Sequence, residues 1–289
     1  MKSMIILTVF LLCAISSFAQ QQLTQSQNHH SEDKEAARVD NAINSYHWDT
    51  LQGKISVIYS KTYKVRARTI QKLIEECMEF YKLTFPETKF NLYAMVLSQE
   101  DWNKIHLNEF VPYGMPNAHT AINKLFIAAD KKAVGKLAGE PDNLPDNMLS
   151  KFDCIALHEV GHIFLIRYNH TSTQKKWADE FLASYFAICF FEQHKEYPGL
   201  PQAGETGYTP KYRTLADFER LYSKVGVQNY GWYQGQFQNL AYELYPKFKT
   251  ELIKTFIENN SADGKKLDPL VLLQQLAPEI TDQWLKRMK

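Results

Sequence analysis

The stretch that decides the reading is Phe152-Asp153-Cys154-Ile155-Ala156-Leu157-His158-Glu159-Val160-Gly161-His162-Ile163-Phe164. We read it as the heart of a long helix over 148–168, and its centre is an H-E-x-x-H sequence, His158 to His162. Residues four apart lie about 40° from each other around an α-helix and about 6 Å along it, so both imidazoles can point at one ion. Glu159 is turned about 100° from His158, close to such an ion without being aimed at it, which suits a base acting on water. Phe152, Ile155, Ile163 and Phe164 make the surroundings apolar, and two histidines buried there need a polar partner. Zinc takes neutral imidazole readily and can bring the pKa of a bound water to about 7, so Zn²⁺ is the expected cofactor.

Catalytic zinc usually has three protein ligands and one open position. A third histidine in the metzincin spacing is excluded, because Leu165 and Tyr168 stand where that pattern needs Gly and His, and His170 comes too late. The remaining route is a carboxylate on the next helix, which we place at 176–194. In Trp177-Ala178-Asp179-Glu180-Phe181-Leu182-Ala183-Ser184-Tyr185-Phe186-Ala187, the i, i+3, i+4, i+7 rule puts Glu180 on one face with Ala183, Ser184 and Ala187. Those small side chains allow close approach to the motif helix. Asp179 shares its face with the bulkier Leu182 and Phe186. Glu180 is therefore the expected third ligand, with Asp179 as the alternative. Ser184 could bond a ligand histidine or serve as a small packing residue, and Cys154, one turn before His158, reads as a buried small hydrophobe.

His158, His162, Trp177, Glu180, Ala183, Ser184 and Tyr185 together resemble the gluzincins, zinc metallopeptidases that join H-E-x-x-H to a Glu on the following helix. The resemblance is to the aminopeptidase N and leukotriene A4 hydrolase branch, whose second motif is W-x-x-E-x-x-A-S-Y; the separation here is one residue shorter. It implies a zincin-like fold, Zn²⁺ held by His158, His162 and Glu180, and Glu159 as general base. Tyr233-Gln234-Gly235-Gln236-Phe237 is similar to the branch's Y-x-K-G segment, which implies Tyr233 as donor to the oxyanion, with Tyr230 as second candidate. Gly114-Met115-Pro116-Asn117 stands where the aminopeptidases have G-x-M-E-N, without the acid that holds a free amino terminus. Gly114 and Met115 are then expected to line the cleft, and endopeptidase action is expected ahead of aminopeptidase action. A peptidase-like binding module without turnover, and a zinc hydrolase acting on a non-peptide ester or amide, stand beside that reading. Glu159 favours the enzyme, since binding alone has no use for a base.

Outward from the motif, the earlier chain reads as strands. Ile55, Val57 and Tyr59 alternate; Phe90 to Leu97 and Ala121 to Ala129 are two further strands, and 65–82 is an amphipathic helix. Val111 to Pro116 is a turn-rich loop. Later helices are expected at 212–224, 233–245, 248–259 and 279–288. Strands followed by helices imply an α+β fold, a small mixed sheet packed on the motif helix and then a helical lobe. The domain would span 46–289, strand-rich over 46–146 and helical over 147–289.

The first 19 residues carry Lys2, a short apolar run and small residues ending at Ala19, the pattern of a secretory signal peptide. Residues 20–45 are polar and read as a flexible leader. The protein is accordingly expected to be secreted or periplasmic. Of 289 residues, about 270 would remain, enough for one large domain. Without Lys2 the 33 basic residues fall to match the 32 acidic ones, which gives no electrostatic reason for a nucleic-acid partner. The apolar run is too short for membrane insertion. Hydrophobic content of 45% excludes a disordered chain, and the few cysteines exclude a disulfide framework. The expected partner is a peptide or protein substrate.

Overall fold

The computed structural model describes residues 37–86, 92–105, 113–114, 116–131, 146–168, 173–200, 209–261 and 263–289. The signal peptide, most of the leader and Met115 lie outside the described residues. The fold is α+β. A five-stranded sheet has the order β1-β2-β3-β5-β4, formed by β1 (Asp49–Leu51), β2 (Ser56–Tyr59), β3 (Tyr93–Leu97), β4 (Asn117–His119) and β5 (Lys124–Ala128). β2, β3 and β5 are parallel, while β1 and β4 run antiparallel along the two edges. The central strands read Tyr-Ala-Met-Val-Leu and Lys-Leu-Phe-Ile-Ala, near-continuous apolar runs, because both faces of the sheet are covered.

Those two faces form two cores. Val57, Ala94, Val96, Leu125 and Ile127 point into the larger, with α1 (Lys64–Thr84), α3 (Asp146–His162) and α4 (Lys176–Gln193). Met95, Leu97, Phe126 and Ala128 point into the smaller, with Trp102 of α2 (Gln99–Lys104) and Phe152 of α3. α3 therefore serves both cores. α4 is buried on nearly every side, which suits its almost uninterrupted apolar sequence. The C-terminal lobe comprises α5 (Leu215–Leu221), α6 (Val227–Phe248), α7 (Glu251–Asn260), α8 (Pro269–Leu276) and α9 (Pro278–Arg287). Among the described residues, no helix is long and apolar enough to cross a membrane.

Several expected boundaries move. Residues 37–44 are helical, and Val39 and Ile43 are buried in the smaller core, so the polar leader read over 20–45 gives way before its expected end. Val39 and Ile43, one turn apart, dock that helix, with Ala42 packed beside them. The strand read over 121–129 is split: Thr120–Ile122 forms a 3₁₀ turn, Asn123 takes a left-handed φ of 57°, and β5 begins at Lys124. The helix read over 148–168 widens after His162 into π-type turns over Ile163–Tyr168. α6 begins at Val227, six residues before the expected 233. β1, β4 and α8 are additional elements.

Candidate metal and hydrolytic site

The H-E-x-x-H sequence occupies the last turns of α3, and α4 packs directly across it. Gly161 makes that possible: a Cβ there would lie 3.0 Å from the Ala183 carbonyl oxygen and 3.2 Å from Phe186 Cβ. Ala183 and Ser184 supply the matching small surface on α4. The result brings His158, His162 and Glu180 together, all buried. His158 Nε2 and His162 Nε2 are 3.1 Å apart, and Glu180 Oε2 lies 3.3 Å from the first and 3.7 Å from the second. A tetrahedral shell with zinc–ligand bonds of about 2.1 Å has edges of about 3.4 Å, so the triangle is the right size for three of four ligands. The donor set fits as well: two imidazoles and a carboxylate, all buried, have a local need for positive charge.

The proton chemistry of the three side chains carries the same signal. Burial works to raise the Glu180 carboxyl, but hydrogen bonds from both histidines hold it well below the ordinary carboxylate range. Burial opposes a charge on His162, yet Glu180 keeps that imidazole protonated up to about 9. A proton on His162 thus supplies the cationic charge that the carboxylate needs.

Around the triangle, other side chains fix the orientation of each donor. His158 Nδ1 lies 3.1 Å from Ser184 Oγ, the first of the two roles expected for that serine. Tyr222 donates to Glu180 Oε1 at 2.6 Å, and Gln234 Nε2 donates to Glu180 Oε2 at 2.8 Å and to the Tyr230 hydroxyl at 2.9 Å. Glu159 is buried beside them, and its Oε2 accepts the Ala118 N–H at 2.9 Å. Ala118 is the middle residue of the edge strand β4, and that N–H points away from β5 toward α3. Burial raises the Glu159 carboxyl, with the two imidazoles pulling against it.

Asp179 is directed elsewhere. Its Oδ1 accepts the Thr173 N–H at 3.0 Å and the Thr173 hydroxyl at 2.8 Å, holding the entry to α4. Tyr233, expected as the oxyanion donor, is also directed elsewhere. Its hydroxyl donates to the Thr214 carbonyl at 2.9 Å, on the side of α6 that faces α5. The phenols that join the cluster are Tyr222, directly at Glu180 Oε1, and Tyr230, through Gln234. Gly114 is buried, has a φ of 146° that favours glycine, and follows Tyr113, whose hydroxyl bonds the Leu97 carbonyl and Asp130. It therefore belongs to the turn leading into β4 rather than to the cluster itself. Tyr222 and Gln234 were missed from the sequence. For Gln234 a signal existed: Tyr230, Gln234 and Gln238 form a polar row at i, i+4, i+8 spacing along the helix. For Tyr222 there was none, since its contact depends on a turn between helices. Comparison with models of protein families, with curated proteins and with solved structures finds no match.

Proposed function

We propose that the chain is an exported zinc-dependent peptidase with a zincin-like, gluzincin-type site, more suited to internal peptide bonds than to free amino termini. The observation that carries this is the convergence of His158, His162 and Glu180 within a buried triangle, with Glu159 beside it and anchored through Oε2. His158 Nε2, His162 Nε2 and Glu180 Oε2 would hold the ion. Zinc in such a site supplies Lewis acidity toward a carbonyl and lowers the pKa of a water molecule.

The protein's own residues account for the rest. For His158 to offer Nε2 as a lone pair, its proton must sit on Nδ1, where Ser184 Oγ accepts it. Ala118 fixes Glu159 through Oε2, which leaves Oε1 to take a proton from the attacking water and pass it to the leaving amine. Tyr230 takes the oxyanion-donor role in place of Tyr233, because its hydroxyl is tied through Gln234 to the ligand carboxylate. The edge strand β4, entered through the Gly114 turn, runs beside the cluster and gives its outward Ala118 N–H to Glu159. Pro116 and Asn117 follow Met115 without an acid to hold an amino terminus, which favours endopeptidase action.

The test is metal analysis of the purified protein followed by hydrolysis of a mixed peptide library, with Glu159→Gln in parallel. The expected result is one zinc per chain in both proteins and cleavage by the parent alone, at internal bonds. Zinc with no cleavage of any peptide would overturn the peptidase reading, and full activity of Glu159→Gln would overturn the mechanism.

A further inference from the structure

We propose that Tyr222 and Gln234 are a two-point clamp that makes Glu180 a single-oxygen ligand, and that the distorted backbone at Tyr222 exists to place its hydroxyl. The inference rests on the metal reading of the site and extends it to how the open position is kept open. A carboxylate has two oxygens and can bind one ion through either or both. If Glu180 rolled about its terminal bond, Oε1 would swing toward the imidazoles and occupy the space that water or substrate needs.

The structure opposes that roll at both oxygens. Oε1 carries the 2.6 Å bond from Tyr222, and Oε2 has one lone-pair direction taken by Gln234 at 2.8 Å. Oε2 is the oxygen that lies 3.3 Å from His158 Nε2 and 3.7 Å from His162 Nε2. The clamp's two arms come from different elements, the turn after α5 and the first half of α6, so the carboxylate is fixed in two directions.

Tyr222 reaches this position through an unusual conformation. Its φ is 47° and its ψ −113°, left-handed values that a residue with a Cβ adopts rarely. The chain leaves α5 at Leu221, turns sharply through Tyr222, and re-enters a helix after Gly226, whose φ is 82°. The ring is then held on three sides: the Lys176 ammonium lies 5.3 Å above it, with Phe218 at 5.3 Å and Tyr230 at 5.9 Å. Such conformations persist where the surroundings over-determine them. Here the over-determined atom is a hydroxyl aimed at a ligand carboxylate.

The experiment uses the full chain with cobalt(II) alone as probe, in the parent, Tyr222→Phe and Gln234→Met. Cobalt affinity is read by competition with a chelator, and coordination number by the intensity of the visible absorption bands. Melting of the metal-free proteins checks that each variant folds. Each variant is expected to lose 10- to 100-fold in affinity. Each should also trade the strong bands of a four-coordinate ion for the weaker bands of a five-coordinate one. Parent-like affinity and spectrum in both variants would overturn the clamp. Reduced affinity with an unchanged spectrum would overturn it too, because the two side chains would then only be solvating a buried charge. A parent that binds no cobalt would overturn the metal reading along with the clamp. A parent that binds cobalt but cleaves no peptide would overturn only the peptidase reading, since neither clamp readout uses turnover.

Discussion

Tyr230 and Tyr233 stand three residues apart on α6, both buried, and their hydroxyls reach different worlds. Tyr233 spends its proton on the Thr214 carbonyl and stacks against Phe237 and Phe218, so it braces α6 against α5. Tyr230 shares Gln234 with Glu180. The difference follows from where the helix starts. A helix opening at 233 would have put Tyr233 at its exposed first turn, whereas one starting at Val227 rotates that residue into the lobe and leaves Tyr230 on the α4 side. Tyr230→Phe is therefore expected to lower kcat by about 10²- to 10³-fold, or about 3–4 kcal/mol of transition-state stabilisation. Tyr233→Phe should leave kcat within about twofold and cost about 1 kcal/mol of stability, the worth of one neutral hydrogen bond. Steady-state kinetics and denaturant unfolding of the two variants check this, and the opposite ranking would return the oxyanion role to Tyr233.

Elements meet at Arg66, which ties α1 to both the sheet and the motif helix. Its guanidinium makes paired bonds of 2.9 and 2.7 Å to Asp153 on α3, and its Nε donates to the Ala128 carbonyl at the end of β5. Burial pushes the Asp153 carboxyl up while Arg66 pulls it down, the balance of a pair whose attraction is largely offset by lost hydration. Removing one partner is the costly change, because a buried charge is left alone. Arg66→Met is expected to destabilise by about 3–5 kcal/mol, and Arg66→Met with Asp153→Leu should recover most of that, measured by urea unfolding. Equal losses in the single and double variants would mean the pair itself supplies the stability. Neither partner declared this bond in the sequence, since they are far apart in the chain and Asp153 lies on a helix read for its histidines. What was legible was periodic. Ile70, Leu73, Ile74 and Cys77 showed α1, and the spacing of His158, His162 and Glu180 showed the cluster. What was not legible was short or made by turns: β1 and β4 have three residues each, too few for a pattern, and Tyr222 gains its partner only through a left-handed residue.

At the scale of the whole molecule, the candidate site joins parts that lie far apart in the sequence. The imidazoles come from α3, the carboxylate from α4, its two restraints from α6 and the turn before it, and the anchor of Glu159 from β4. The unfolded chain has no such assembly, so an ion held there binds the native state alone and stabilises it by mass action. With free zinc at about 1,000 times Kd the gain is about 4 kcal/mol. For a chain of this size each kcal/mol moves Tm by about 2–4 °C, so stripping the metal should lower Tm by about 10 °C. Differential scanning calorimetry before and after a chelator, with zinc then restored, measures it. His162→Ala supplies the control: it should melt at the same temperature with and without chelator, because the triangle has lost a corner. A parent protein equally indifferent to the chelator would mean that α3, α4 and α6 are held together by their apolar contacts alone, and that the buried proton on His162 is the only cation the cluster uses.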